Sequence, residues 1–158
     1  LAHVQKPTTG VECPSSDRAK PVQSARIDRV PKRHYNAAMA EQAVLESLDH
    51  ARLAVDVASE QQASDVLMLD LKGISDFADY FVIMTAESAR QMGALAEDVE
   101  DALELAGIRR HHREGSPEGG WMLLDFGDVI AHVFTPEKRE FYLLEEAWSQ
   151  ATETVRIQ

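Results

Sequence analysis

Between residues 41 and 62 apolar side chains recur every three or four positions, at Val44, Leu48, Ala51, Val55 and Ala58, with Leu45 beside them. That spacing predicts an amphipathic helix whose single apolar face is meant for a sheet. Residues 66–71 and 80–86 are short apolar, β-branched or aromatic runs separated by the turn-rich segment 72–79, a pattern that predicts two adjacent strands. A second helix comes next. Ser88 with Gln91 forms a capping box at its start, Met92, Leu95, Ala96, Val99, Leu103 and Ala106 form its buried stripe, and Gly107 ends it. Residues 109–113 read as a basic loop and 115–120 as a Gly/Pro segment. They lead into a hairpin over residues 121–134 that turns at Gly127-Asp128, a favoured two-residue pairing. Beyond Pro136 a last helix is predicted for residues 138–151. Helices alternating with short strands place the chain in the α/β class.

The hairpin carries the most information. If Gly127 and Asp128 are the whole loop, Phe126 faces Val129 and every earlier pair is set by register. One face then holds Met122, Leu124, Phe126, Val129, Ala131 and Val133, all apolar, and is a core face. The other sets Trp121 opposite Phe134, Leu123 opposite His132 and Asp125 opposite Ile130. Large aromatics mixed with a carboxylate and an imidazole are unusual in a sealed core and common where a protein meets a partner, because tryptophan often anchors interfaces. The interface reading is preferred to the competing one, in which the last helix simply covers this face.

Charge adds a direction. The chain has a net charge of −11, unevenly spread. Residues 1–38 hold seven basic and three acidic side chains (+4), which leaves nine basic and 24 acidic (−15) for residues 39–158. Nucleic acids are bound by Lys and Arg releasing phosphate counterions, so a domain this acidic is expected to make little direct contact with RNA and to suit a basic protein. Residues 1–38 also contain four of the six prolines and no sustained period, and are read as a disordered basic extension preceding a single domain of residues 39–158. The chain opens on Leu1 while Met39 stands just before the first periodic segment, so translation is expected to start at Met39; a transit peptide is the other reading of the extension. No apolar run approaches the roughly 18 residues of a membrane span, and Cys13 is the only cysteine, which fits a reducing, cytoplasmic setting with no membrane partner.

Catalytic patterns are weak by comparison. His132 has no nucleophilic cysteine in the domain and no G-x-S-x-G serine, and the adjacent His111 and His112 point in different directions. Asp125 with Asp128, or Asp76 with Asp79, offer paired carboxylates, but at that spacing in turns they usually cap the backbone. The 115–120 segment lacks the Lys-Ser/Thr of a phosphate loop. No cofactor, no metal and no enzymatic activity are expected.

Two blocks resemble the ribosome silencing factor family, RsfS or Iojap: SDFADYFVIMTAESARQ at residues 75–91 and GWMLLDFGDVIAHVFTPEKREFYLLEEAW at residues 120–148. The resemblance covers nearly all of residues 39–158. Phe126 departs from it where the family often has tyrosine, and the extension is not part of the bacterial pattern. It implies a mixed β-sheet flanked by helices, related to the nucleotidyltransferase fold but without that fold's catalytic carboxylates. It also implies binding to the large ribosomal subunit through its ribosomal protein fourteen, steric exclusion of the small subunit and lowered translation when nutrients are scarce, in a protein that is often a homodimer. Carried over residue by residue, the contact surface is Trp121, Leu123, Asp125, His132 and Phe134 with Arg139 and Tyr142, Trp121 and Phe134 being the apolar anchors and Asp125 the acceptor for a Lys or Arg. Arg139 has an equal second reading as an internal partner of Asp125 or Asp128. The rival functions are a metal-dependent nucleotidyltransferase-like enzyme using Asp125 and Asp128, and an assembly factor for the large subunit.

Overall fold

A long helix, α1 (Lys32–Glu60), opens the part of the chain that the structure, a computed structural model, describes: residues 32–158, with side chains from residue 46. Cys13 and residues 1–31 of the expected extension lie outside it, as do the side chains of Val44 and Leu45. The backbone of α1 passes through Met39 without a break. Its buried stripe is built of small residues, Ala51, Ala54 and Ala58 with Val55, which lets the helix lie close to the sheet. Ser47 from the same face donates to Asp79 Oδ2 (2.8 Å), tying the helix to the loop between the first two strands.

Those strands, β1 (Ser64–Asp70) and β2 (Tyr80–Thr85), are neighbours as expected, and they pair antiparallel. Helix α2 (Ala89–Leu105) starts on Ser88, whose Oγ accepts from the Gln91 amide (3.2 Å), while Gln91 Oε1 accepts from the Glu87 amide (2.9 Å). The reciprocal cap therefore reaches one residue further back than the usual box. Met92, Leu95, Ala96, Val99 and Leu103 are fully buried, whereas Ala106 is exposed because the helix has already ended; Gly107 at φ +89° turns the chain away.

The remaining elements are β3 (His112–Ser116), a 3-10 turn at Pro117–Gly119, β4 (Trp121–Asp125), β5 (Val129–Phe134), α3 (Pro136–Tyr142), α4 (Leu144–Ala147) and β6 (Thr152–Ile157). The hairpin register agrees with the sequence expectation at every pair, from Trp121 opposite Phe134 to Asp125 opposite Ile130, closed by the Phe126 amide donating to the Val129 carbonyl (3.0 Å). The six strands lie in the order β3-β4-β5-β2-β1-β6, and only β2 with β5 is parallel, so the sheet is mixed. Its first face, with Val66, Met68, Val82, Met84, Met122, Leu124, Phe126, Ala131 and Val133, packs against α1 and α2. Among the described residues no helix is long and apolar enough to cross a membrane.

Three expectations are corrected. The basic loop is partly an edge strand, since residues 112–116 pair antiparallel with β4. The last helix starts earlier, because Thr135 caps it through Oγ1 and Pro136 presets its first turn, and it stops at Leu143 in the left-handed conformation (φ +45°). The chain then makes one short turn of helix, α4, and enters β6, which pairs antiparallel with β1 through a segment rich in β-branched residues, Thr152, Thr154, Val155 and Ile157.

Candidate protein interface

The second face of the sheet is ordered by the strand register into rows that cross all or most of the strands. One row runs Glu114, Leu123, His132, Ile83, Leu67, Arg156; the next runs His112, Asp125, Ile130, Phe81, Leu69, Glu153. Each is apolar or aromatic in the middle and polar or charged at both edges. Leu144, Trp148 and Ala151 from the C-terminal segment cover the β1–β2–β5 side of this face. Over β3 and β4 the cover stops, and an open cleft of about 370 Å³ is left between Glu114, Gly115, Gly119, Trp121, Leu123 and Tyr142.

Four of the expected contact residues meet in one aromatic cluster. Trp121 stacks on Phe134 (5.0 Å between centroids, 23° between planes) and touches Tyr142 (4.7 Å); Phe134 lies 6.3 Å from Tyr142 and 6.2 Å from the His132 ring. Trp121, Leu123 and Asp125 are half-buried and Tyr142 is exposed, so these four line the accessible surface. Phe134, expected as an anchor, is 0% exposed and forms the floor beneath Trp121 and Tyr142. His132 is buried too, packed edge-on to Phe81 (4.8 Å), with Nδ1 accepting from Trp121 Nε1 (3.3 Å). Its desolvated ring resists a charge, which pushes its pKa down from 6.5 to about 4.

Asp125 stands at the far end of the hairpin, where Oδ1 accepts from the Gly127 amide (2.8 Å) and fixes the turn. One carboxylate of each candidate pair, Asp125 and Asp79, accepts a hydrogen bond within the fold. Asp79 accepts from Ser47, and the Asp128 carbonyl accepts from the amides of Asp79 (2.8 Å) and Tyr80 (3.0 Å). Among the described residues no group of three or more His, Cys, Asp or Glu is placed to hold a metal ion.

Arg139 lies apart from the cluster. It is buried and pairs internally, but with neither Asp125 nor Asp128. Nε donates to Glu145 (3.1 Å), Nη1 to Thr85 Oγ1 (2.9 Å) and to the Asp65 carbonyl, and Nη2 lies 3.2 Å from the Asp65 carboxylate. Asp65 sits at φ +43° where β1 is irregular, and this turns both its carbonyl and its carboxylate toward the guanidinium. The acid partners of Arg139 are thus set by a bulge and by the helix break at Leu143, neither of which the spacing of acids revealed.

Sequence reasoning also missed the far half of the aromatic cluster. Trp148 packs against Phe81 (5.3 Å) and Phe77 (5.9 Å), and Phe77 is 58% exposed. It missed Phe141, which at 75% exposed is more open than Tyr142 beside it. The signal was present in three consecutive apolar residues, Phe141, Tyr142 and Leu143, which a helix cannot bury on one face.

The family model described as "Ribosomal silencing factor during starvation" matches residues 44–158. Ribosomal silencing factor RsfS of Bacillus subtilis is 39% identical over 100 residues, which is 63% of this chain and 85% of that protein. The chloroplastic protein Iojap of Zea mays is 36% identical over 107 residues, 68% of this chain and 46% of Iojap. A crystal structure of protein CV0518 from Chromobacterium violaceum superposes with a TM-score of 0.63 at 29% identity, covering 70% of this chain and 92% of that one. With the family model spanning the α1 stripe, both quoted motifs and the terminal strand, the chain belongs to the ribosomal silencing factor family.

Proposed function

We propose that this protein binds the large ribosomal subunit through its basic ribosomal protein fourteen and blocks joining of the small subunit by bulk alone, without turnover. The observation that carries this reading is the open cleft at the β3–β4 end of the sheet, where Trp121, Leu123 and Tyr142 stand partly exposed around Glu114. An aromatic and aliphatic patch of this kind is an anchor site, and the −15 charge of residues 39–158 directs it to a basic protein surface instead of RNA. Asp125, with one oxygen capping the turn, offers the other to a Lys or Arg of that partner. The protein acts where ribosomes are, in the cytoplasm, and translation falls as subunits fail to join when nutrients are scarce.

Sucrose-gradient sedimentation with purified subunits tests the reading. The added protein is expected to co-migrate with the large subunit and to reduce joined ribosomes. Trp121→Ala is expected to weaken binding by about 2 kcal/mol or more, roughly thirtyfold, while the far-ultraviolet spectrum stays folded. Wild-type protein that neither co-migrates nor lowers subunit joining sinks the proposal. Titration with nucleotide and Mg²⁺ by calorimetry separates it from the nucleotidyltransferase-like alternative, for which heat of binding is required.

A further inference from the structure

We propose that His132 does not meet the partner but is a positioning residue, which selects the one orientation of the Trp121 indole that presents it for docking. The inference rests on the docking role assigned to Trp121 above. His132 is 3% exposed, in the interior of β5, walled by Phe81, Phe134 and Trp121. No partner reaches such a ring without opening the sheet's cover. Its influence is exerted through the hydrogen bond that Nδ1 accepts from Trp121 Nε1.

That bond supplies something the packing cannot. Stacking on Phe134 and contact with Tyr142 fix the plane of the indole, but a flat ring turned over within the same slot keeps most of its contacts. The N–H edge alone tells the two orientations apart. Held by His132, the N–H points inward, toward the buried imidazole; turned over, that polar edge would no longer be directed at the interior. A half-buried tryptophan also needs a partner for its N–H, and His132 provides it.

The arrangement has a recognisable cost. With Nδ1 acting as acceptor, the ring proton sits on Nε2, and Nε2 is buried with no hydrogen-bond partner among the described residues. An unsatisfied donor weakens a fold, and an aliphatic side chain of similar size would remove it. A residue kept for packing alone would not be a histidine here. Stability and docking therefore pull in opposite directions at this position.

The test uses the whole chain with His132→Leu, His132→Asn and Trp121→Phe, read by large-subunit co-sedimentation, urea unfolding and tryptophan emission. His132→Leu is expected to unfold at the same or higher urea concentration, to shift the emission of Trp121, and to bind the large subunit about two- to tenfold more weakly, the scale of one re-mobilised interface side chain. His132→Asn, whose Oδ1 can stand where Nδ1 does, is expected to restore binding to within about twofold of wild type. In a Trp121→Phe background, which has no N–H to hold, His132→Leu should change binding no further. Wild-type affinity in folded His132→Leu, or an equal loss in the Trp121→Phe background, overturns the proposal. Should wild-type protein itself fail to bind the subunit, the docking role falls, and emission measured in a Trp148→Phe background, where Trp121 is the remaining indole, still tests the bond: a spectrum unchanged by His132→Leu shows that the bond does not hold the indole.

Discussion

Arg139→Ala separates an internal clamp from a partner contact. The guanidinium is 7% exposed and joins α3 to β1, β2 and α4 through Asp65, Thr85 and Glu145. Removing one member of a buried ion pair costs about 3–5 kcal/mol, mostly from the charge left behind. Here the acids are partly wet, with side-chain exposures of 37% for Asp65 and 23% for Glu145, and Arg156 still holds Asp65 at 3.2 Å after the substitution. The loss should therefore fall below that range, at about 2–3 kcal/mol, with Glu145, the Thr85 hydroxyl and the Asp65 carbonyl as the groups that lose their donor. Urea unfolding followed by circular dichroism measures it, as a lower midpoint at unchanged slope. Arg139→Lys should recover only part, since a single ammonium cannot reach all of these acceptors in the geometry of the fork. A loss under about 1 kcal/mol, accompanied by lost large-subunit binding, would refute the clamp and return Arg139 to the contact surface.

Three other positions give further expected outcomes. Because the folded His132 titrates at about 4 and the unfolded one at 6.5, protons favour the unfolded chain between those values; stability is whole above pH 6.5, declines as pH falls toward 4 and is level below it. The swing is about 3 kcal/mol, read as the difference between the pH–stability curves of wild type and His132→Leu; parallel curves would show that the ring is not desolvated. Gly115→Ala should destabilise by well over about 2 kcal/mol, because at φ +83° its new Cβ would lie 2.1 Å from the Trp121 carbonyl oxygen, whereas Gly73→Ala, at φ +82° with open space around it, should cost only about 1 kcal/mol of backbone strain in the same thermal unfolding assay.

Local period and turn chemistry control the part of the structure that was legible in the sequence. The Gly127-Asp128 turn fixes the register of β4 with β5, and register alone separates Met122, Leu124 and Phe126 from Trp121, Leu123 and Asp125. The α2 stripe comes from its cap and its 3.6-residue repeat. Burial on the second face was not legible in the same way. Trp121 and Phe134 are directly opposed and alternate alike, yet one is half-buried and the other wholly so, because Phe134 lies in the cluster that the C-terminal segment covers, with the Trp121 and Tyr142 rings against it, while Trp121 borders the open cleft. That depends on where the last helix breaks. Leu143 carries no glycine or asparagine signal for a left-handed residue, so a continuous helix was the natural reading, and β6 was hidden with it.

The helix break also divides this face between a covered half and the half proposed to dock. Turning at Leu143 brings Leu144 and Trp148 down onto Phe81, Leu67 and Leu69, and the chain then runs out as β6 along the β1 edge. All of the cover is thus placed on one half of the sheet. Toward the other edge burial falls by steps, from Ile83 through His132 to half-buried Leu123 and exposed Glu114 along a single row. The residues at the boundary are held from behind: Trp121 by Phe134 and His132, Asp125 by the turn amide. Side chains already restrained in this way lose little freedom when a partner covers them, which lowers the cost of the proposed docking. One more turn of helix laid over Leu123 would close the cleft and leave an ordinary two-sided core, with Trp121 as packing and nothing at the β3 edge to bind.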